Sequence, residues 1–479
     1  MSSAPIIDES APAQEGLRAR TLRGGAFIVI RQGVGVVFSL ATVLFVTRVI
    51  GPREYGFFAA AFGITSFLYS LGTWGIDVFL LRKPEAPLRR DYNQAFTLLA
   101  ALGASFAAAL IFARWMIAGR LHLPRIAPLL IALAIWLVFS LLNLPGVVQL
   151  DRELRFKRVA SNELLAQLAG CVVAISFAYR GFGSWAPAMG ITVQAFSLLV
   201  LTYASVRYVP ALEWSNRAVR EMLGYGLSYS SSIWVWQTRS LVNPIIVGYF
   251  GGAEAVGLVA LGIRMAEVLS FAKSATWRVA MAALARISTD RNKVRRSIEE
   301  GMRLQALSVG LPLAVFALLA PTVVPLAFGP RWTPSLHVFA YIALAYLTNA
   351  MFNLHSSVLY LYRKNMSVTV FHLVHVAIFA AAAILFVSKF GFIGYGYAEV
   401  AALCSYFVIH EQIVRAVHRP SYAGATLWFL IAAIAIMSCL GPAPLRVAAA
   451  LLMLVPFLLP KERAVLRGYT AILFPRGAA

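Results

Sequence analysis

Residues 24–46, GGAFIVIRQGVGVVFSLATVLFV, contain one ionisable side chain, Arg31. A helix rises 1.5 Å per residue, so about 20 such residues cross the roughly 30 Å hydrocarbon core of a bilayer. Windows of that length and character fit about fourteen places, from 24–48 to 443–460. Loops between them reach at most about twenty residues, whereas a folded extramembrane domain needs about 50. The chain is therefore expected to be all-α and polytopic, doing its work within the membrane or at its two faces. Composition agrees: 60% of the 479 residues are hydrophobic and 13% charged, where soluble domains are nearer half and a quarter.

The net charge of +22 would suggest nucleic acid in a soluble protein. Here the basic residues sit in short clusters between apolar runs, which is a membrane-topology pattern with no nucleic acid implied. Alternate loops differ sharply: about 28 Lys and Arg fall on one side and about 9 on the other. The richer side reads as cytoplasmic. Both termini then lie there, and the number of spans is even. The first run is too long for a signal-peptide core and reads as a retained span. Residues 1–17 read as a disordered cytoplasmic tail. Cys171, Cys404 and Cys439 lie in apolar runs and form neither a C-x-x-C motif nor a disulfide framework.

The chain writes one corner twice. GPREYGFFA (51–59) and GGAEAVGLVA (251–260) share a leading glycine, a glutamate (Glu54, Glu254) and a following glycine (Gly56, Gly257). In the first copy Gly51 suits a helix C-cap and Pro52 a helix start. Glu54 then meets the positive end of the helix dipole, and Gly56 permits close backbone approach. In the second copy Gly252 stands where the first has proline. A second echo pairs GFGSWAPAMG (181–190) with GFIGYGYAEV (391–400). Six spans separate the corners, so both copies cross in the same sense, and parallel repeats imply a pseudo-two-fold along the membrane normal. The expected layout is a six-helix bundle over 18–210, a second over 211–420, a cavity at their pseudo-symmetric interface, and a C-terminal helix pair with a cytoplasmic tail over 421–479.

Ionisable groups inside spans are costly and mark function. Span one (24–48) carries Arg31 and span two (56–81) Asp77. Span seven (222–249) carries Arg239, near Gln237, Asn243 and Pro244. Span eight (256–285) carries Arg264, Glu267, Lys273 and Arg278, and span twelve (392–414) Glu399. Arg239 lies about twelve residues into its span, about 18 Å deep, where snorkelling is hard. Arg31 and Arg264 lie about 10–12 Å in. These three are expected to face an aqueous cavity, and a cationic cavity implies an anionic substrate or head group. Arg278 sits near a span end and either snorkels or lines the cavity. Asp77 also sits near an end. Lys273 is open to pairing with Glu267 or Asp77. His372 and His375, beside aromatic residues, read as packed polar groups. LDRELRFKRVAS (150–161) reads equally as an interfacial segment over anionic lipid and as an ordinary basic loop. G-x-x-x-x-G-K-[ST], H-E-x-x-H, G-x-S-x-G and paired Cys/His spacings do not occur, so no cofactor or metal and no enzyme activity is expected.

Several stretches resemble the polysaccharide-exporting (Wzx-type) flippases of the multidrug/oligosaccharidyl-lipid/polysaccharide exporter superfamily. They are LRGGAFIVIRQ (22–32), TRVIGPREYGFFAAAFGI (47–64), QLDRELRFKRVASNELLA (149–166), GFGSWAPAMG (181–190), GGAEAVGLVALGIRMAE (251–267), LAFGPRWTPS (326–335) and GFIGYGYAE (391–399). The resemblance implies two six-helix bundles around a cationic central cavity with alternating access. It implies carriage of undecaprenyl-diphosphate-linked oligosaccharide from the cytoplasmic to the periplasmic leaflet of a bacterial inner membrane, for exopolysaccharide, O-antigen or capsule. Membrane lipids and the polymerase and chain-length proteins of a glycan assembly complex are the implied partners. By its place in GIRMAE, Arg264 matches an arginine important in related lipid-linked flippases. Arg31 is a looser match, and Arg239 has no family motif behind it. The alternative reading is a cation-coupled exporter of small molecules with the same fold. It favours cavity carboxylates over arginines, the reverse of what the sequence carries.

Overall fold

A computed structural model describes residues 11–83, 85–271 and 290–473, together with Lys273, Leu284 and Ile287; the side chains of 11–34, 36, 37, 39, 228, 229, 461 and 468–473 lie outside the description. The described elements are helical: α1 Ala11–Thr73, α2 Ile76–Arg82, α3 Arg89–Arg120, α4 Ile126–Arg152, α5 Phe156–Tyr179, α6 Trp185–Val206, α7 Asn216–Gln237, α8 Gly248–Leu269, α9 Arg291–Ala327, α10 Ser335–Leu361, α11 Asn365–Phe390, α12 Ile393–Ala402, α13 Tyr406–Val417, α14 Ala423–Met437, α15 Ala443–Leu452, α16 Val455–Leu458 and α17 Pro460–Leu473, with short 3₁₀ and π turns between some of them. Helix α1 starts inside the stretch read as a tail, where Ala, Gln, Glu, Leu and Arg are good helix formers.

Among the described residues, eleven helical segments are long and apolar enough to cross a membrane. Two of them, Leu40–Arg82 with 43 residues and Ser230–Leu269 with 40, are twice the length a crossing needs. Each is broken by a glycine, Gly51 (φ 77°, ψ 174°) and Gly252 (φ 72°, ψ −172°). The sequence's spans one and two, and seven and eight, are thus continuous helical paths with a glycine corner. Ala443–Leu458, where the last span is expected, is a shorter apolar helix with Pro456 within it.

These corners correct the register of the sequence repeat. Gly51 matches Gly252, not Gly251, so Pro52 matches Ala253 and the two glutamates are not equivalent. Both corner glycines adopt an extended positive-φ conformation open essentially to glycine alone. Further positive-φ corners pair at the same separation of roughly 200–210 residues: His122 with Gly329, Leu154 with Arg363, Gly181 with Gly391 and Arg207 with His418. The duplication is written in the backbone where the residue types have diverged.

The chain forms two compact units, 1–50 with 61–231, and 51–60 with 232–479. In the first, α4 packs on α3 and α6, and α5 packs on α6. Ala166, Gly170, Ala174 and Ala178 line one buried face of α5 at four-residue spacing. A Cβ added to Gly170 would lie 2.6 Å from the Gly190 carbonyl, so the two backbones touch. Two basic residues of 150–161 turn inward. Arg152 donates to the carbonyls of Leu80 (2.8 Å), Lys83 (3.0 Å) and Leu81 (3.2 Å), closing the end of α2, and Arg155 donates to Ser205 O at 3.0 Å. Lys157 and Arg158 stay exposed beside Leu154, half-exposed at the tip of the turn. The segment is therefore a structural capping turn with an amphipathic rim.

In the second unit α9 packs on α10 and α14, and α10 packs on α8 and α12. Helix α9 spans 37 residues, about 55 Å, well beyond the hydrocarbon thickness. Its charged first turns begin at the N-cap Asp290, whose carboxylate accepts from the amides of Asn292 and Lys293. Helix α17 is pinned by the buried Glu462, which takes hydrogen bonds from Arg303 and from the Trp428 indole N–H.

Candidate functional site

The polar segment of span seven loses regular helical form. Helix α7 passes into a 3₁₀ turn, Thr238–Leu241, and a π turn, Val242–Val247. Pro244 explains the change, because it has no N–H and its ring crowds the carbonyl four residues earlier. Hydroxyls compete for the same backbone: Thr238 donates to Trp234 O at 3.0 Å and Ser240 to Gln237 O at 2.7 Å. The buried Asn243 donates to Val256 O at 3.3 Å.

This irregular turn carries Arg239. Its Nη2 donates to both oxygens of Glu399, at 2.5 and 2.6 Å. The Glu399 side chain is 1% exposed and that of Arg239 19%. Three rings surround the guanidinium carbon, Trp236 at 5.4 Å, Phe379 at 5.5 Å and Tyr346 at 6.0 Å, adding cation–π attraction in a desolvated setting. A single nitrogen makes both carboxylate contacts, and the buried Nε has no hydrogen-bond partner among the described residues. Arg239, expected to line a cavity, has its charge met by Glu399, because an arginine at that depth needs an internal anion.

His375 stacks near the same Trp236, its ring centroid 5.0 Å away. It is buried, with Nδ1 2.8 Å from Ser405 Oγ. His372 donates from Nδ1 to the Ser232 carbonyl at 3.0 Å. Lys273, which the sequence left open to Glu267 or Asp77, donates to Asn349, and Asn349 donates to the Tyr406 hydroxyl at 2.8 Å. The cage of Trp236, Tyr346 and Phe379 around Arg239, and Ser405 beside His375, carry no charge or motif that would mark them in the sequence.

Arg264 is in a different setting. On α8 it pairs with Glu267 at 2.9 Å, with side chains 35% and 56% exposed. Tyr55, in the corner of the repeat, is an electrostatic neighbour of both. Asp77 belongs to the first unit, in the first turn of α2 after the positive-φ pair Trp74 and Gly75, where its charge suits the helix dipole. Arg31 has a described backbone, in α1, and a side chain outside the described residues; Arg278 lies outside them altogether. Among the described residues no group of three or more His, Cys, Asp or Glu could hold a metal ion.

The model of a family described as "Polysaccharide biosynthesis protein" matches residues 45–337. The succinoglycan biosynthesis transport protein ExoT of Rhizobium meliloti (strain 1021) is 26% identical over 313 residues, 64% of this chain and 62% of that protein. The match thus spans less than two thirds of that relative's length. Among solved structures, the lipid II flippase MurJ in an inward closed conformation superposes with a TM-score of 0.68 at 11% identity, covering 95% of this chain and 99% of MurJ. An inward-facing multidrug resistance MATE family transporter of the MOP superfamily gives 0.60 at 16% identity, over 85% and 95%. At such identities the likeness establishes the fold: an all-helical, polytopic architecture of flippases and multidrug exporters.

Proposed function

This chain belongs to the polysaccharide biosynthesis protein family, and on that premise we propose that it flips undecaprenyl-diphosphate-linked oligosaccharide repeat units from the cytoplasmic to the periplasmic leaflet by alternating access, supplying exopolysaccharide, capsule or O-antigen synthesis. Family and fold are those of membrane transporters rather than enzymes. The setting in this reading is a bacterial inner membrane with both termini cytoplasmic and the glycan polymerase and chain-length proteins nearby. The relative named for succinoglycan transport supports an exopolysaccharide cargo.

The observation that carries the reading is the exposed pair Arg264–Glu267. It lies about eight residues, or about 12 Å, into span eight. A charged pair exposed to this degree is too costly against hydrocarbon and belongs against water. Arginine's planar fork matches two phosphate oxygens, and a diphosphate competes readily with a loosely held glutamate. Lys273 is a second cation on the same span, and Arg31 and Arg278 are further candidates. Arg239, held by Glu399, serves in this reading to fix span seven to span twelve.

The test is complementation of a deletion strain. Wild-type protein restores polymer. Arg264→Ala, inserted at wild-type level, lowers polymer about tenfold or more, the scale of one lost charge-assisted contact, and lipid-linked repeat units accumulate. Wild-type polymer from Arg264→Ala would remove the head-group role, and undiminished polymer in the deletion itself would remove the function.

A further inference from the structure

Two histidines share one hydroxyl in the second unit. His355 Nε2 lies 3.0 Å from the Tyr422 hydroxyl oxygen, and His410 Nδ1 lies 2.7 Å from it. The three residues come from α10, α13 and the N-cap of α14, and all fall within 232–479. His355 is fully buried and His410 half-buried. Phe352 packs on the His355 and Tyr422 rings at 4.8 and 5.8 Å, and the His355 ring stacks on that of Tyr422. Tyr422 also starts α14: its carbonyl accepts from the amides of Ala425 at 3.0 Å and Thr426 at 2.9 Å.

A hydroxyl carries one proton, so Tyr422 donates to one histidine and must accept from the other. Burial selects the direction. His355 Nδ1 is buried and has no hydrogen-bond partner among the described residues. A proton there would be a stranded donor, and buried N–H groups without partners are rare and costly. His355 therefore carries its proton on Nε2 and donates to Tyr422, and Tyr422 donates to His410 Nδ1. His410 is the open end of this chain, about 6 Å from the end of span twelve. The titratable and charged groups nearest it are Glu411, paired with Arg415 at 3.0 Å, then His418 and Arg419 beyond α13. From α9 comes Glu299, which pairs with Arg295 and accepts from the Ser421 amide at 2.8 Å.

We propose that this bridge is a proton-binding site that acts on the C-terminal helix pair. The proton is cytoplasmic in the orientation proposed above. A proton taken at His410 Nδ1 turns that nitrogen from acceptor to donor, and Tyr422 then keeps both bonds only by donating to His355. His355 must hold its proton on Nδ1, where no described group receives it, or give up the bridge. The protons balance: His410 gains one, and Tyr422 and His355 each keep one. Either way the hold on the start of α14 weakens.

The experiment uses the full-length protein with nitrogen-labelled histidine in bilayers of phosphatidylethanolamine and phosphatidylglycerol, followed by solid-state NMR from about pH 8 to about pH 5, the range in which histidine titrates. The chain has seven histidines, and His355→Gln and His410→Gln assign the two that matter. At the alkaline end the His355 proton is expected on Nε2; a proton on Nδ1 overturns the proposal. As His410 takes its second proton, the His355 resonances should move with the same midpoint in wild type and not in Tyr422→Phe. His355 resonances that stay fixed while His410 titrates, or that still move in Tyr422→Phe, overturn it, as does a His410 that never takes the second proton. Corrected for intrinsic rates, the Ala425 and Thr426 amides of wild type should exchange about fivefold or more faster at the acid end; unchanged exchange overturns the link to α14. These readouts do not involve cargo, so the flippase reading is judged separately, by complementation.

Discussion

Arg239 and Arg264 look alike in the sequence, two arginines within the apolar spans of one half, and the structure gives them opposite surroundings. Arg239 sits among three aromatic rings with a fully buried carboxylate on one nitrogen. Arg264 shares an exposed edge of α8 with a glutamate one turn on. Burial decides how firmly each charge is held. A buried pair cannot lose one member cheaply, whereas an exposed pair is worth little and exchanges readily. In the function proposed above, the first holds helices together and the second receives a charged ligand.

The comparison breaks most visibly at Glu399. Glu399→Ala strands a buried cation and should cost about 3–5 kcal/mol, seen as a large drop in thermal stability of the purified protein in detergent; a drop comparable to that of Glu267→Ala would erase the distinction. A milder probe replaces both members. Arg239→Met with Glu399→Leu should leave stability within about 1 kcal/mol of wild type or raise it, with polymer export retained; loss of export from this well-folded double variant would return Arg239 to the cargo site. Glu267→Ala should be the smallest, about 0–1 kcal/mol in stability.

Much of this was readable in advance. Apolar length gave the crossing helices, and the doubled corner gave the duplication, because bilayer thickness and glycine's backbone freedom act locally. What depends on distant partners was not readable. Arg239 finds its carboxylate 160 positions away, and nothing near Arg239 in the sequence points to span twelve. The stretch 150–161 reads equally as an interfacial segment and as an ordinary basic loop, and nothing local shows that Arg152 donates to the carbonyls of Leu80, Leu81 and Lys83. The alignment of the corners slipped by one residue because the doubled glycine at 251 and 252 offers two registers, and only the dihedral angles choose. Glu462 was invisible as an anchor, since one carboxylate in a basic tail has no local reason to be buried.

The division of labour between the two arginines can be measured directly as equilibrium binding of a fluorescent undecaprenyl-diphosphate oligosaccharide to reconstituted protein. Arg264→Ala should weaken binding about tenfold or more, the worth of about 1.4 kcal/mol, while the Arg239→Met, Glu399→Leu double variant binds as wild type. Wild-type affinity in Arg264→Ala, or lost affinity in the double variant, would contradict it.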